Sequence, residues 1–472
     1  MYNPKSLVAS EFIDHQEVLD TLAWADAHKN DPETLRAILE KAREHKGLNH
    51  REASVLLACE DPAVNEEIYA LAREIKQAYY GNRIVMFAPL YLSNYCINGC
   101  VYCPYHLKNK HIPRKKLTQA EIEREVIALQ DMGHKRLAIE TGEDPKNNPI
   151  EYILESIQTI YNIKHKNGAI RRVNVNIAAT TVENYRKLKD AGIGTYILFQ
   201  ETYHKESYEK LHPTGPKHDY AYHTEAMDRA MEGGIDDVGL GVLFGLELYR
   251  YEFAALLMHA EHLEAVHGVG PHTISFPRIK RADDIDPGTF DNGISDETFL
   301  KIIACARVSV PYTGMIISTR ESADVRGKAL GLGISQISGA SRTSVGGYCE
   351  PEPEDESSAQ FDISDRRTLD EVVSWLMRLG YLPSFCTACY REGRTGDRFM
   401  ALCKSAQIAN CCQPNAIMTL KEYLMDYASP VTRMIGESRI KEELKGIPNE
   451  KVRAFVERNL EKIAGGERDF RI

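Results

Sequence analysis

The sequence predicts a (β/α)8 TIM barrel with a helical segment on either side of it. Eight short apolar or β-branched runs lie between residues 83 and 338 and alternate with helical patterns. This span matches the roughly 250 residues of one such barrel. Polar or reactive residues follow nearly every run, as they follow the carboxyl ends of barrel strands. An open, doubly wound sheet is the alternative architecture.

Changes in composition divide the 472 residues into three predicted domains. Residues 1–82 form a helical N-terminal extension, 83–350 form the barrel, and 351–472 form a mainly helical C-terminal domain. The extension carries a capping box, Asn49 with Glu52, and a later helix that stops at Gly81. An acidic, proline-bearing run at 350–360 is typical of a linker or surface loop. Helical segments at 368–380 and 420–429 follow, and the tail at 442–466 is an amphipathic helix.

The predicted strands are bounded by turn residues and helical patterns. They cover 83–92, 136–141, 172–178, 195–200, 237–244, 272–276, 314–319 and 333–338. The helix after the first strand opens with the capping box of Thr118 and Glu121 and closes at Gly133. Because barrel active sites lie at the carboxyl ends of the strands, the polar residues there predict one constellation on one face.

Composition restricts the classes of function. The net charge is −10 and the pI is near 5.9, which argues against a nucleic acid as the general partner. No apolar run approaches the roughly 20 residues that cross a bilayer, so no membrane association is expected. The first residues lack the pattern of a signal peptide. We therefore expect a cytoplasmic protein, in which clustered thiols indicate metal binding or catalysis before disulfides.

Three cysteines, Cys96, Cys100 and Cys103, lie within eight residues directly after the first predicted strand. A loop at that position is a poor place for three core residues. Structural zinc needs four protein ligands, and His106 could supply the fourth. Thiolate-rich sites also suit iron–sulfur clusters, in which three ligands leave one iron open for chemistry. Spacing alone leaves both metals possible.

The Cys-x3-Cys-x2-Cys spacing, with Tyr102 before the third cysteine, resembles the radical S-adenosylmethionine (SAM) superfamily. The resemblance implies a 4Fe-4S cluster on the three cysteines and SAM bound at its open iron, where SAM is cleaved to a deoxyadenosyl radical. It also implies that Tyr102 and two further segments bind SAM. These segments contribute Thr141, Gly142 and Glu143 after strand two, and Gly241 and Gly245 at strand five.

The C-terminal region carries a second group of thiols. Cys386 and Cys389 have metal-ligand spacing, and the third ligand could be Cys403, Cys411 or Cys412. Zinc is a fair alternative on spacing alone.

Taken with Cys412 and the first triad, the second group is similar to the radical SAM tyrosine lyases that mature FeFe-hydrogenase, the HydG type. This resemblance covers nearly the whole chain. It implies an auxiliary 4Fe-4S cluster with an extra iron on Cys386, Cys389 and Cys412, and it implies that His272 binds that iron. Neutral imidazole suits ferrous iron. His262 and His267 are the nearby rivals, whereas Cys403 and Cys411 are interpreted as structural.

Substrate-handling residues are expected on three strands. After strand four, Glu201 and Tyr203 are the catalytic candidates and Gln200 a substrate-binding one, although Glu201 could merely cap the next helix. Arg320 after strand seven could clamp a substrate carboxylate bidentately, or form a structural ion pair with Glu321. Ser338 and Ser341 after strand eight are further candidates for binding substrate.

The resemblance implies cleavage of the Cα–Cβ bond of L-tyrosine to p-cresol and dehydroglycine. It further implies conversion of dehydroglycine to carbon monoxide and cyanide on iron, for assembly of the hydrogenase active site. The implied partners are hydrogenase maturation proteins and an electron donor such as ferredoxin or flavodoxin. The related tyrosine lyase of thiamin-thiazole synthesis, which delivers dehydroglycine, is the alternative enzyme. A zinc-binding scaffold is the alternative from another class.

Overall fold

Parallel strands form a closed barrel at the centre of the computed structural model, which describes residues 1–350, 356–405 and 409–472. The strands are β1 (Arg83–Ser93), β2 (Arg136–Thr141), β3 (Lys164–His165), β4 (Gly168–Ala169), β5 (Arg172–Asn176), β6 (Tyr196–Ile197), β7 (Val238–Gly241), β8 (Thr273–Ser275), β9 (Gly314–Ile317), β10 (Gln336–Ser338) and β11 (Leu382–Ser384). β3 and β4 form a separate hairpin, and the pairing of β10 with β1 closes the barrel of eight. The predicted (β/α)8 architecture is confirmed, and the open sheet is not formed.

Helices surround the barrel and build the regions on either side of it. The extension contains α1 (Ala9–Phe12), α2 (His15–His28), α3 (Pro32–Ala42), α4 (His50–Ala58) and α5 (Pro62–Tyr80). The barrel region contains α6 (Gln119–Met132), α7 (Ile150–Asn162), α8 (Val182–Asp190), α9 (Lys205–Leu211), α10 (Tyr220–Thr224), α11 (Ala226–Glu232), α12 (Tyr249–His267), α13 (Asp296–Ser309) and α14 (Ala323–Leu332). The C-terminal region contains α15 (Leu369–Arg378), α16 (Ala388–Arg391), α17 (Gly396–Lys404), α18 (Ala409–Asp426), α19 (Pro430–Lys445) and α20 (Glu450–Ala464). No helix among the described residues is long and apolar enough to span a membrane.

The N-terminal extension is attached to the barrel through charged side chains on α12. His50 of α4 lies 2.8 Å from Glu261 and 2.9 Å from Glu17 of α2. The hydroxyl of Tyr2 donates a hydrogen bond to the same Glu261 carboxylate at 2.7 Å. Both predicted capping boxes form, at Asn49 and at Thr118. The helical extension therefore packs on the outside of the barrel.

Strand four is shorter than predicted. β6 covers two residues, although the sequence predicts a strand over 195–200. Beyond Ile197, Leu198 and Gln200 donate their N–H groups to Gly239 and Gly241 on the β7 side. The residues after β6 thus run along the barrel wall without the second ladder that defines a barrel strand.

The C-terminal region differs from the prediction in three places. β11 has no counterpart among the predicted strands. Its three residues include Pro383, and proline within a sheet is typical of edge strands. β11 runs parallel to β1 and pairs with its amino end, from Arg83 to Val85. The tail is two helices, α19 and α20, separated at 446–449 by a segment that contains Pro448. α18 begins well before residue 420, and residues 351–355 of the predicted acidic linker lie outside the described residues.

Candidate active site

The first cysteine triad lies in a loop at the carboxyl end of the barrel. Cys96, Cys100 and Cys103 line a cavity of about 150 Å³, here called the outer cavity. The loop is fixed to the end of α9 and to the segment after it, because Gly99 and Val101 donate backbone hydrogen bonds to the carbonyls of 214 and 211 at 2.9 and 3.0 Å. The loop therefore presents all three thiols to one enclosed space.

The surroundings of the triad fit a group that takes thiolates. Burial raises the pKa of all three thiols, that of Cys103 to about 12, so thiolates are costly there without a compensating cation. A metal cluster compensates for this cost by coordination. Lys217 adds positive charge; although burial opposes its charge, Glu201 and the thiols raise its pKa. A set of three thiols facing a cavity fits a 4Fe-4S cluster with one open iron.

His106 does not complete a four-ligand set with these thiols. Its Nε2 lies 3.1 Å from the Asp284 carboxylate, and the ring is not among the residues that line the outer cavity. The structure therefore does not support the four-ligand zinc alternative with His106.

The segment after β2 packs directly on the cysteine loop. Thr141, Gly142 and Glu143 all line the outer cavity. Glu143 accepts a hydrogen bond from the Asn98 side chain at 2.6 Å, and burial raises its pKa. A Cβ at Gly142 would lie 2.4 Å from the carbonyl oxygen of residue 95 and 2.9 Å from the Cys96 Cβ. Only glycine allows this close approach.

The other residues predicted to bind SAM differ in whether they line the outer cavity. Tyr102 lines the outer cavity, and its hydroxyl lies 2.6 Å from His212 Nε2. Gly241 and Gly245 are not among the lining residues. A Cβ on Gly241 would lie 2.7 Å from the Phe199 ring, and one on Gly245 would lie 2.6 Å from Ile279. Phe199 and Ile279 do line the cavity, so these glycines shape its wall through their neighbours.

The segment after β6 contributes Glu201 but not its two predicted companions. Glu201 lines the outer cavity with a φ of +67°, and its carboxylate accepts a hydrogen bond from Lys217 at 2.9 Å. Gln200 instead donates to Thr224 at 2.9 Å, and the Tyr203 hydroxyl lies 2.8 Å from His259. Gln200 and Tyr203 are not among the residues that line the outer cavity, so the structure does not bring them together with Glu201 there.

The side chain of Gln200 turns toward the surrounding helices, where it donates to Thr224 of α10, whereas its neighbours Phe199 and Glu201 line the outer cavity. The chain has left the barrel wall by Tyr203, whose N–H donates to Glu252 of α12 at 2.9 Å.

A second space, the inner cavity of about 90 Å³, continues from the outer cavity into the barrel. Their shared lining residues are Glu140, Asn176, Phe199, Arg320, Gln360 and Phe361. Arg320 stacks its guanidinium over the Phe361 ring at 3.5 Å. Glu321 pairs with Arg278 instead, at 3.0 Å, so the structure does not form the alternative pair with Arg320.

Ser338 and Ser341 line the inner cavity only. The Ser338 hydroxyl accepts a hydrogen bond from the backbone of Thr319 at 3.2 Å. Sequence reasoning missed Glu140. Its alternation with Ala138 along β2, which turns both side chains into the barrel, is the signal that could have found it.

The second cysteine triad lies at the opposite, amino end of the barrel. Cys386, Cys389, Cys412 and His272 line a third space of about 80 Å³, the distal cavity. Residues at the starts of β1, β2 and β10 complete its wall, among them Arg83, Arg136 and Gln336. β11 explains the location, because it pairs with the amino end of β1 and leads directly into Cys386. The two triads are therefore separated by the length of β1, roughly 30 Å.

The donor set of the distal cavity fits a second cluster. Cys389 is hydrogen-bonded to Cys412, and the Cys386 sulfur accepts from the N–H of Ala388 at 3.4 Å. His272 lies 2.8 Å from the Tyr390 hydroxyl, and burial lowers its pKa to about 4, so the imidazole is neutral as a metal ligand must be.

One of the two cysteines predicted to be structural lines the distal cavity, and the rival histidines lie outside it. Cys403 lines the distal cavity as a fourth thiol, whereas Cys411 accepts a hydrogen bond from Arg394 at 3.6 Å. His262 and His267 both bind the Asp228 carboxylate, at 3.0 and 2.8 Å. Neither histidine lines the distal cavity, which leaves His272 there.

Comparisons with known proteins agree with this arrangement. A family model described as the radical SAM superfamily matches residues 90–257, and one described as the biotin and thiamin synthesis associated domain matches 275–382. The chain is 31% identical over 365 residues to 2-iminoacetate synthase of Escherichia coli, covering 77% of this chain and 93% of that protein.

Two solved structures are similar over nearly their whole length. HydG, a maturase of the FeFe-hydrogenase, is 55% identical with a TM-score of 0.94, over 98% of this chain and 100% of that one. The FeFe-hydrogenase maturase HydG from Carboxydothermus hydrogenoformans is 38% identical with a TM-score of 0.83, over 96% and 99%.

Proposed function

Because the chain belongs to the HydG family of radical SAM enzymes, we propose that it cleaves the Cα–Cβ bond of L-tyrosine in the maturation of FeFe-hydrogenase. The products of this step are p-cresol and dehydroglycine. Dehydroglycine is then converted to carbon monoxide and cyanide. Atoms and charge balance, since HN=CH–COO⁻ gives CN⁻, CO and one water molecule.

One observation carries the proposal: two cysteine triads face separate cavities at opposite ends of one barrel. A single radical step needs only the first triad. A second thiol-lined cavity, provided with a neutral histidine, gives the small fragment a place for a different reaction. The interior of the barrel lies between the two.

At the carboxyl end, Cys96, Cys100 and Cys103 would hold a 4Fe-4S cluster, and Thr141, Gly142, Glu143 and Tyr102 would hold SAM. When bound, this cluster supplies the electron that cleaves SAM and so produces the radical. Glu143, which packs against the cysteine loop through Asn98, would accept a hydrogen bond from the amino group of SAM. Glu201 and Lys217 form an ion pair in the lining of the same cavity.

The inner cavity would receive the tyrosine. Arg320, stacked on Phe361, presents its guanidinium to the junction of the outer and inner cavities and would clamp the substrate carboxylate. Aromatic and aliphatic side chains of the inner cavity would pack on the phenol ring. These include Phe87, Tyr91, Phe199, Phe276 and Ile316. Enclosing the substrate excludes water, which would otherwise compete for reactive intermediates.

At the amino end, Cys386, Cys389, Cys412 and His272 would hold the auxiliary cluster and its extra iron. Arg136 lines the distal cavity and donates to the carbonyl of Cys386 at 3.0 Å, which fixes the loop that begins the triad. Tyr390 orients the His272 ring through the hydrogen bond to Nε2. Ferredoxin or flavodoxin would provide electrons, and other hydrogenase maturation proteins would receive the product.

The alternative function is delivery of dehydroglycine for thiazole synthesis, which the similarity to 2-iminoacetate synthase favours. The two functions share the first reaction and differ in the second. The distal cysteines favour the maturase function, because they supply a site for a second cluster.

The test is anaerobic turnover after reconstitution with iron and sulfide. We expect about eight irons per chain from two 4Fe-4S clusters, formation of 5′-deoxyadenosine, and p-cresol from tyrosine. Uptake of about four irons, or SAM cleavage without p-cresol, would contradict the two-cluster tyrosine lyase.

A further inference from the structure

Glu140 is a carboxylate in the interior of the barrel, at the junction of the outer and inner cavities. It is the penultimate residue of β2 and lines both spaces. Arg320, at the end of β9, lines the same two spaces. A guanidinium and a carboxyl group thus face the place where one cavity opens into the other.

Glu140 and Arg320 do not form an ion pair with each other. Within the part of the chain that the structure describes, no ion pair within 4 Å is formed by Glu140 or by Arg320. Asn176 of β5 hydrogen-bonds the Glu140 carboxyl, and Arg320 attracts it from a greater distance. Tyr91 of β1 is its other titratable neighbour. The outer cavity also holds Glu201 and Lys217, which pair with each other.

A guanidinium and a carboxyl group held apart in an enclosed site match one class of ligand, an amino acid with its own carboxylate and ammonium. Leaving both side chains unpaired is costly unless a ligand completes them. An α-amino acid bound with its carboxylate on Arg320 would place its ammonium group beside the carboxyl group of Glu140.

We propose that Glu140 binds the ammonium group of the amino-acid substrate and acts as the base that removes one of its protons. An N–H bond breaks, an O–H bond forms on the carboxylate, and the electron pair stays on nitrogen. The product of this step is a neutral amine, whose remaining N–H bonds are then available for hydrogen-atom abstraction. This inference rests on the proposed lyase function and adds a catalytic residue to it.

The environment of Glu140 suits such a transfer. Burial raises its pKa to about 8, against the attraction of Arg320 and the hydrogen bond from Asn176. The α-ammonium of a free amino acid has a pKa above that of a chain's α-amino group, because its own carboxylate favours the charged form. The raised pKa of Glu140 lies closer to that of the ammonium than the pKa of an ordinary glutamate does, so proton transfer between them is less unfavourable. A glutamate with an ordinary pKa of about 4.3 would be a far weaker base.

The first test measures protons released on binding and does not depend on turnover. At pH 7 both Glu140 and the free ammonium carry a proton, whereas the bound pair shares one. Calorimetric titration of the reconstituted enzyme with tyrosine, in two buffers of different ionisation enthalpy, should report release of about one proton per tyrosine. Glu140→Gln should release none. Equal release by wild type and Glu140→Gln would overturn the proposal.

The second test uses the pH dependence of p-cresol formation. Glu140→Gln should lower the rate about 100-fold at pH 7, as expected for loss of a general base. The rate should recover above pH 9.5, where the substrate loses the proton unaided. A rate that stays low above pH 9.5, as expected of a variant that merely distorts the cavity, would overturn the proposal. So would a Glu140→Gln rate that does not fall at pH 7.

Two controls separate folding and function from the role of Glu140. Glu155→Gln changes an exposed glutamate on α7 and should leave the rate and the proton release at wild-type values. Glu140→Asp keeps a carboxylate and should keep the wild-type pH profile at a lower rate. If the wild type cleaves SAM but forms no p-cresol, the proposed function fails. If the wild type forms p-cresol and Glu140→Gln equals it at pH 7, only this inference fails.

Discussion

Arg320 is the residue on which substrate binding depends most directly in this account. Its guanidinium carbon lies 3.5 Å from the centre of the Phe361 ring, and its side chain lines both the outer and the inner cavity. Arg320→Lys keeps the charge but removes the bidentate geometry, so we expect the KM for tyrosine to rise about 10- to 100-fold. kcat should change much less. Steady-state p-cresol assays measure both, and an unchanged KM with a lower kcat would contradict the clamp.

Gly142 is a position at which one added carbon should displace the cysteine loop. A Cβ there would lie within 3 Å of the cysteine loop, at the carbonyl of residue 95 and at Cys96. We expect Gly142→Ala to weaken SAM binding at least tenfold and to reduce iron uptake, because the loop must shift. Equilibrium dialysis with SAM and iron analysis measure these effects. Gly293→Ala is the matched control, since a Cβ at Gly293 meets nothing within 4 Å, and it should change neither quantity.

At this scale the sequence identified residues by local spacing and missed those placed by geometry. The triad of Cys96, Cys100 and Cys103 could be predicted because its members lie in one short loop. Glu140 was missed because a glutamate on a strand gives no local sign of facing a cavity. Tyr203 lies away from the outer cavity because the turn after Glu201 carries it toward α12.

Among the elements, β11 determines where the second triad lies. It pairs with the amino end of β1, so Cys386 and Cys389 face the distal cavity, far from the first triad. We expect the double variant Cys386→Ser with Cys389→Ser to retain SAM cleavage and most p-cresol formation while losing cyanide. Paired assays of p-cresol and cyanide, with iron analysis to check that the first cluster is loaded, measure this. Loss of p-cresol in a folded variant would contradict the separation of the two reactions.

A buried ion pair joins α14 to the segment that leads into α15. Arg326 is fully buried and pairs with Asp365, which also binds Arg367 at 2.6 Å. Asp365→Asn leaves the arginine charge buried without its partner, at a cost of about 3 to 5 kcal/mol. We expect the Tm to fall by several degrees. Asp324→Asn removes an exposed pair with Lys328 and should leave the Tm nearly unchanged. Equal Tm shifts in the two variants would show that the buried pair contributes no more to stability than the exposed one.

The elements themselves were partly predictable. The eight barrel strands have strong β-branched patterns between helix signals, and all eight form. β11 could not be predicted, because three residues with a central proline become a strand only beside the free edge of β1. The tail was predicted as one helix since its apolar spacing continues, but the segment at Pro448 divides it.

Over the whole molecule, the barrel separates two reaction sites while enclosing the space between them. The outer and inner cavities share six lining residues, and the distal cavity lies at the other end of the same strands. The sequence predicted one constellation on one face, because strand-end residues are read from local order. It could not place the distal site, which forms from residues far apart in the chain, such as Arg83, His272 and Cys412.

The central claim is that tyrosine is cleaved at one end of the barrel and its fragment is converted at the other. The most direct measurement is anaerobic turnover of tyrosine labelled with carbon-13 at Cα, with p-cresol, cyanide and glyoxylate determined together. We predict that the label appears in cyanide, and that unlabelled p-cresol accompanies it. Label in glyoxylate, the hydrolysis product of dehydroglycine, with no labelled cyanide would contradict the claim.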